Sequence, residues 1–331
     1  MKAAIYKATG PAAEVLSITE LKDPTPGKGQ VRVQVRASGV NICDTQRRSG
    51  ARAQPFTVQQ VIPHSDGAGV IDRLGSGVDK TWLGSRVWFH NAQWHQPCGA
   101  AAEYVVLPIS HIAPLPEAVS FEAGATLGLP LLTAWQALAL GGDIAGKTVL
   151  VTGGAGAVGA YAVQLAKVKG ARVIATVSSE EKACLARKYG ADEIINYRRD
   201  NVAKCVQRLC DGHGVDHYIE VNLSANADTV ASVLAAGGSM AVYGSDSADV
   251  TLPNIVELLH KRIRIEFFLV YDLPPAVIER AKQEIQVLLE TGRLKFPIAT
   301  VFPMKDIARA HEAVEAGVIG NVVLCQCPSK Q

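Results

Sequence analysis

The stretch of this 331-residue chain with the clearest chemical content is Val149-Leu150-Val151-Thr152-Gly153-Gly154-Ala155-Gly156-Ala157-Val158-Gly159. It carries G-x-G-x-x-G at Gly154, Gly156 and Gly159. An apolar strand precedes it, and Val158, Ala162, Leu165, Ala166 and Lys169 follow at helical spacing. Alone the pattern is weak; between a strand and an amphipathic helix it is a phosphate cradle. A missing Cβ at Gly156 lets the backbone approach a pyrophosphate, and Gly159 permits close packing of helix on strand. The helix start at Ala157 and Val158 offers free N–H groups and the positive end of a dipole. A tight turn without a ligand is the alternative, and the βαβ run that follows argues against it.

The end of the next strand separates the two common dinucleotides. A site for NAD usually carries Asp or Glu there, accepting hydrogen bonds from the ribose 2′-hydroxyl. This chain has Thr176-Val177-Ser178-Ser179, with Ser178 lying 24 positions after Gly154. A carboxylate would repel a 2′-phosphate; a serine would not. Lys182 follows one helical turn later, and Tyr197-Arg198-Arg199 closes the third strand, supplying hydroxyl and cation donors. Glu180 and Glu181 speak against a phosphate, unless they are solvated first-turn residues that complement the helix dipole. The balance favours NADPH.

The elements that must hold these groups fall into two regimes. Up to about residue 120 the chain reads as short strands broken by turns, with Val31–Val35 alternating and Pro24, Pro26, Gly27, Gly29, Gly75, Gly77 and Gly84 as punctuation. That spacing predicts a small barrel or sandwich. From Gly146 strands alternate with helices. Thr148–Val151, Arg172–Val177, Glu193–Asn196, His217–Glu220, Ser239–Tyr243 and a sixth strand Arg264–Val270 predict a doubly wound parallel sheet. Helices near Pro275–Glu290 and Lys305–Ala316 and a last strand Val322–Leu324 complete the chain.

Bulk properties exclude several classes. The formal net charge is +2, and the longest basic run is Lys261-Arg262-Ile263-Arg264, too little for the basic face of a nucleic-acid binder. No apolar run approaches the roughly 20 residues of a membrane span, and the N-terminus lacks the apolar core of a signal peptide. The seven cysteines are scattered without a CxxC pair, which fits a cytoplasmic protein. His90, His95 and Cys98, with His64 earlier, have spacing that a metal could use. A polar loop without metal is the expectation, because no carboxylate stands near in sequence to orient the ligands.

Several segments resemble one family. Ser38-Gly39-Val40-Asn41-Ile42-Cys43-Asp44-Thr45 with Arg48-Ser49-Gly50 is similar to the GxNxxDxxxRxG segment of quinone oxidoreductases and zeta-crystallins, which are zinc-free medium-chain dehydrogenases/reductases. Gly67–Ile71, Gly84–Val87, Ala101–Tyr104 and Ala125–Leu127 through Trp135 match in the same order, over nearly the whole chain. The resemblance implies a GroES-like β-barrel catalytic domain of residues 1–122 and 265–331 around a Rossmann NADP-binding domain of residues 123–264. It also argues against zinc: zinc relatives place Cys at Asn41, His-Glu at Ser65-Asp66 and Cys near Leu129.

By the same resemblance Asn41 contacts the nicotinamide side and Asp44 stabilises the adjacent turn or site. Ser178, Lys182 and Tyr197 match 2′-phosphate contacts. Tyr243 and Gly244, then Phe268, Leu269 and Val270, lie along the cofactor, and Asn321 stands where the family usually has a lysine. Gln46 and Arg52 replace aromatic residues of some relatives, so a tyrosine proton donor from this loop is missing. The implied reaction is hydride transfer from NADPH to a quinone or an α,β-unsaturated carbonyl. The substrate is expected in a cleft between the domains, beside the Asn41–Gln46 loop, Arg52 and Leu129–Leu132. A homodimer is expected through the sixth strand. The alternatives are an enone reductase, a zinc-free alcohol dehydrogenase, or an NADPH-binding protein with little turnover.

Overall fold

A computed structural model of the chain describes residues 1–52 and 59–326. It divides into two compact units, Met1–Leu129 with Lys282–Gln331, and Pro130–Ala281. The first unit begins with β1 (Lys2–Ile5), β2 (Ser17–Glu20), β3 (Gln30–Val40), β4 (Gly67–Leu74), β5 (Arg86–Phe89), β6 (Tyr104–Pro108) and β7 (Ile112–Pro114). The second contains β8 (Thr148–Val151), β9 (Arg172–Val177), β10 (Glu193–Asn196), β11 (Val215–Glu220), β12 (Leu234–Val242) and β13 (Arg264–Phe267). The chain then returns to the first unit with β14 (Ile298–Pro303) and β15 (Asn321–Cys325).

The long strand β3 organises the first unit. It pairs antiparallel with β4 along most of its length. On its other side its first half pairs with β6 and its second half with β15. The order is β14-β15-β3-β4-β5-β7, with β6 attached to β3. Val31, Val33 and Val35 alternate into a core with Ile71, Val87, Phe89, Val105, Leu107 and Ile112. Arg32, between them, is also buried, and its guanidinium is held by both oxygens of Asp72. A buried cation survives only with such a partner. The helix Ile307–Glu315 and β15 close a second core against Ala3, Ala4, Ile5 and Val40.

In the second unit the sheet order is β10-β9-β8-β11-β12-β13, all parallel. Val173–Val177 are all buried, as a strand covered on both faces requires. Leu150, Ile174, Tyr218 and Met240 pack with Val206, Val230 and Val233 into one core cluster. The helix Gly159–Val168 is buried along most of its length. One expectation needs correction. The sixth strand stops at Phe267, not Val270: Phe268 still donates its N–H to the Val242 carbonyl, but beyond it Val270–Asp272 forms a single 3₁₀ turn. Strand β12 ends at Val242, opposite Phe267, so among the described residues Leu269 and Val270 have no partner strand. The later helix also starts differently, with a 3₁₀ turn Met304–Asp306 before Ile307.

Candidate functional site

Parallel pairing brings the carboxyl ends of the second unit's strands to one edge. Val151 lies opposite Ala175, Val177 opposite Asn196, and Glu220 opposite Val242. Open α/β sheets bind their ligands at this edge. After β8 the chain turns at Gly153, whose φ of +63° favours glycine. Gly153 N–H donates to Thr176 Oγ1 at 3.3 Å and Gly154 N–H to the Thr176 carbonyl at 3.0 Å. The three motif glycines then serve different ends. A Cβ on Gly154 would stand 2.6 Å from Ala175 Cβ, and one on Gly159 would stand 2.2 Å from the Gly153 carbonyl oxygen. These two permit close packing. A Cβ on Gly156 would meet only the Gly153 oxygen, at 3.2 Å, so that face of the turn is open to a ligand.

A buried carboxylate that sequence reasoning treated only as the end of a strand fastens this turn. Glu220 is fully buried. Its carboxylate accepts from Thr152 Oγ1 at 3.2 Å, from Asn226 Nδ2 at 3.1 Å and from the Asn222 N–H. Thr152 Oγ1 in turn accepts the Val221 N–H at 3.0 Å. The loops after β8 and β11 are thereby locked to each other.

Ser178 follows directly on β9 and is buried. Tyr197 N–H donates to the Val177 carbonyl at 3.1 Å, which seats Tyr197 beside Ser178 on the neighbouring strand end. Tyr197 is itself exposed. Ser179 caps the helix Glu180–Tyr189 by accepting the Lys182 N–H. Glu180 is turned to Arg187, at 3.0 Å. Among the described residues no ion pair holds the Lys182 ammonium. After β12 come Tyr243 and Gly244; burial raises the Tyr243 phenol well above its ordinary value. Its ring lies 6.2 Å from that of Phe268. Leu269 is exposed and Val270 buried.

The first unit holds its own polar cluster. Asn41 precedes the helix Ile42–Ser49, and its N–H donates to Asp44 Oδ2 at 2.8 Å, three residues on. Asn41 Nδ2 donates to Asp66 Oδ1 at 2.9 Å, while Leu129 N–H donates to Asp66 Oδ2 at 2.8 Å. Asn41, Asp44 and Asp66 are all buried. Burial, and then the nearby Asp44 carboxylate, push Asp66 up to about 8. Burial raises Asp44 to about 6, and among the described residues its Oδ1 has no hydrogen-bond partner. Gln46 is half-buried and Arg52 exposed, with Arg52 N–H on the Gln46 carbonyl at 3.1 Å. Asn321 is buried at the start of β15, its Nδ2 donating to the Pro297 carbonyl at 3.1 Å.

Sequence spacing could not pair His64 with His311. Both are fully buried, their rings stacked and their Nε2 atoms 3.1 Å apart, with Ser38 Oγ 2.9 Å from His64 Nδ1. Burial lowers His64 well below its ordinary value and His311 to about 3. His90, His95 and Cys98 are differently placed: His90 is buried, while His95 and Cys98 are exposed. Among the described residues no three His, Cys, Asp or Glu side chains are gathered as a metal would require. No described helix is long and apolar enough to cross a membrane.

A parallel doubly wound sheet with a glycine turn at its carboxyl edge defines a dinucleotide-binding protein. Residues 27–117 match the alcohol dehydrogenase GroES-like domain family, and residues 157–289 the zinc-binding dehydrogenase family. A quinone oxidoreductase of Pseudomonas aeruginosa is 33% identical, covering 94% of this chain and 95% of that protein. A solved NAD-dependent alcohol dehydrogenase superposes with a TM-score of 0.89 at 32% identity, covering 99% of this chain and 100% of its own. The Escherichia coli quinone oxidoreductase complexed with NADPH superposes with a TM-score of 0.85 at 27% identity, covering 98% and 100%. The chain belongs to the quinone oxidoreductase family of the medium-chain dehydrogenases/reductases.

Proposed function

We propose that the protein is an NADPH-dependent oxidoreductase that passes hydride to a quinone or a related conjugated carbonyl. The observation that carries the cofactor choice is the paired end of β9 and β10. Ser178 and Tyr197 stand side by side there, no carboxylate follows β9 directly, and Glu180 is engaged by Arg187. Lys182 is the cation nearest in sequence for a 2′-phosphate. The open face of Gly156 suits a pyrophosphate, so the residues present fit the dinucleotide. Its reduced nicotinamide supplies the hydride; the protein orients the reactants and excludes water.

Asn41, Tyr243, Gly244, Phe268, Leu269, Val270 and Asn321 are proposed along the cofactor by their position in the family pattern. Asp44 supports the Asn41 turn, and Gln46 and Arg52 contact the acceptor. A quinone suits this set because the hydroquinone anion is stable enough for solvent to protonate it. An alcohol dehydrogenase must stabilise a developing alkoxide, usually with a Lewis acid. Asn41, Ser65 and Leu129 replace the side chains that ligate zinc in relatives of that kind. We further propose a cytoplasmic homodimer paired through β13, acting on small molecules and on neither nucleic acid nor membrane.

The test is steady-state oxidation of NADPH and of NADH with a panel of small quinones and enones, beside alcohol oxidation with NADP⁺ and NAD⁺, before and after chelation. Preferred turnover of NADPH with quinones, unchanged by chelator, is the expected result. Alcohol oxidation with NAD⁺ that is lost on chelation would overturn it.

A further inference from the structure

Asp66 touches Asn41, proposed here beside the cofactor, and Leu129, the start of the segment expected from the sequence to lie beside the substrate. It is fully buried, yet both carboxyl oxygens have donors: Asn41 Nδ2 on Oδ1 and Leu129 N–H on Oδ2. The surrounding backbone is shaped to house it. A Cβ on Gly39 would stand 2.5 Å from Asp66 Oδ1, and one on Gly128 would stand 2.5 Å from Asp66 Cβ. Both distances are shorter than real Cβ contacts show, so the two glycines leave room for the Asp66 side chain and for the Ala125 and Phe89 carbonyls beside it. The Gly39 N–H also donates to the Asp66 carbonyl, at 3.2 Å.

An asparagine amide has two chemically different ends, a donor NH₂ and an acceptor C=O. Nothing in the shape of Asn41 chooses between them; only hydrogen-bond partners do. Each Asp66 oxygen already receives an N–H donor, Oδ1 from the Asn41 amide and Oδ2 from Leu129, so in this arrangement the carboxyl meets Asn41 as an acceptor. The Asn41 NH₂ is drawn to Asp66, and its carbonyl is turned away from that carboxyl, on the side of the Asp44 N–H that it caps and with a second lone pair to spare.

We infer that Asp66 is a positioning residue that fixes which end of the Asn41 amide faces the reactants, and that it ties this amide to the Leu129 backbone. The inference rests on the proposed role of Asn41 beside the cofactor. Asp66 itself touches no reacting atom. Its work is to present Asn41 as a hydrogen-bond acceptor and to hold the start of the Leu129–Leu132 segment at a fixed distance from it.

Asp66→Asn preserves size and can still accept the Leu129 N–H with its Oδ1. Its NH₂ then faces Asn41, where two donors would oppose each other, so the Asn41 amide must flip. The exchange variant, Asp66→Asn with Asn41→Asp, restores an acceptor at position 41 and a matched pair behind it. NADPH binding by fluorescence titration, acceptor KM and kcat, and Tm are measured for wild type, both single variants and the exchange. The expected result is at least tenfold weaker NADPH binding or lower kcat in each single variant, with Asp66→Asn changed little in Tm. The exchange variant recovers much of the loss. A purely structural role would move Tm in step with activity and show no recovery on exchange. Wild-type NADPH affinity and kcat in Asp66→Asn overturn the inference alone. Failure of the wild type to bind NADPH removes both the proposed function and the inference.

Discussion

Exchanging Gly156 or Gly159 for alanine separates two consequences of one motif. At Gly159 the new Cβ would fall 2.2 Å from the Gly153 carbonyl oxygen, 2.8 Å from its carbon and 3.0 Å from Gly154 Cα. The carbonyl would have to retreat by about 0.8 Å to reach even the 3.0 Å limit of real Cβ contacts. It cannot do so freely, because Thr176 pins the amides of Gly153 and Gly154. Overpacking against rigid neighbours costs up to about 3 kcal/mol, and alanine's better helix propensity returns about 1 kcal/mol of that. The net destabilisation is about 2 kcal/mol, or about 4–8 °C in Tm for a unit of this size. At Gly156 the only contact is 3.2 Å, so Tm should move by less than about 2 °C. Its methyl projects instead from the open face of the turn, and NADPH affinity should fall at least about tenfold, or 1.4 kcal/mol. Differential scanning fluorimetry and NADPH fluorescence titration on both variants read the two effects. Gly156→Ala binding NADPH like the wild type, or Gly159→Ala melting like it, would refute the division of roles.

Lys182→Ala should weaken NADPH about tenfold or more while leaving NADH nearly unchanged, since a charge-assisted hydrogen bond contributes about 1.5–3 kcal/mol. Wild-type protein with equal affinity for the two cofactors would contradict this. Acid should destabilise the first unit through its neutral histidines. His311 folds with its pKa lowered to about 3, so its stabilising contribution is present above the unfolded value near 6.5 and is lost as pH falls toward 3. At pH 5 that loss is about 2 kcal/mol. His311→Asn should therefore lose less stability than wild type between pH 7 and pH 5 in urea titrations; parallel pH profiles would exclude the mechanism. The opposite sign holds for Asp66, raised to about 8: its contribution is largest below the unfolded carboxylate range and is lost as pH climbs toward 8. Strand β13 is one edge of its sheet and carries the exposed Phe267, so Phe267→Glu should convert a dimer to a monomer in light scattering. A wild type already monomeric at micromolar concentration would sink that prediction.

Local chemistry wrote much of this protein directly into its sequence. In the run Arg172–Val177 every residue but Arg172 and Ala175 is β-branched, and Val173 to Val177 are all buried, because both faces of a parallel strand are covered. The observed strand has the bounds read from the sequence. The helix Pro275–Glu290 likewise has the bounds that its pattern implied. The glycine turn was legible because a missing Cβ is a property of the residue itself. Which glycine serves packing and which faces a ligand was not, since that depends on whether a neighbour stands at 2.2 Å or at 3.2 Å. The end of the sixth strand failed for a related reason: Phe268–Val270 has the composition of a strand, but β12 supplies no partner beyond Val242. Buried polar pairs were the least legible. Asp66 meets Asn41 across 25 residues, and His64 meets His311 across 247. No periodicity links such positions; only the folded backbone, with Gly39 and Gly128 clearing the space, decides which carboxyl or imidazole a buried donor will find.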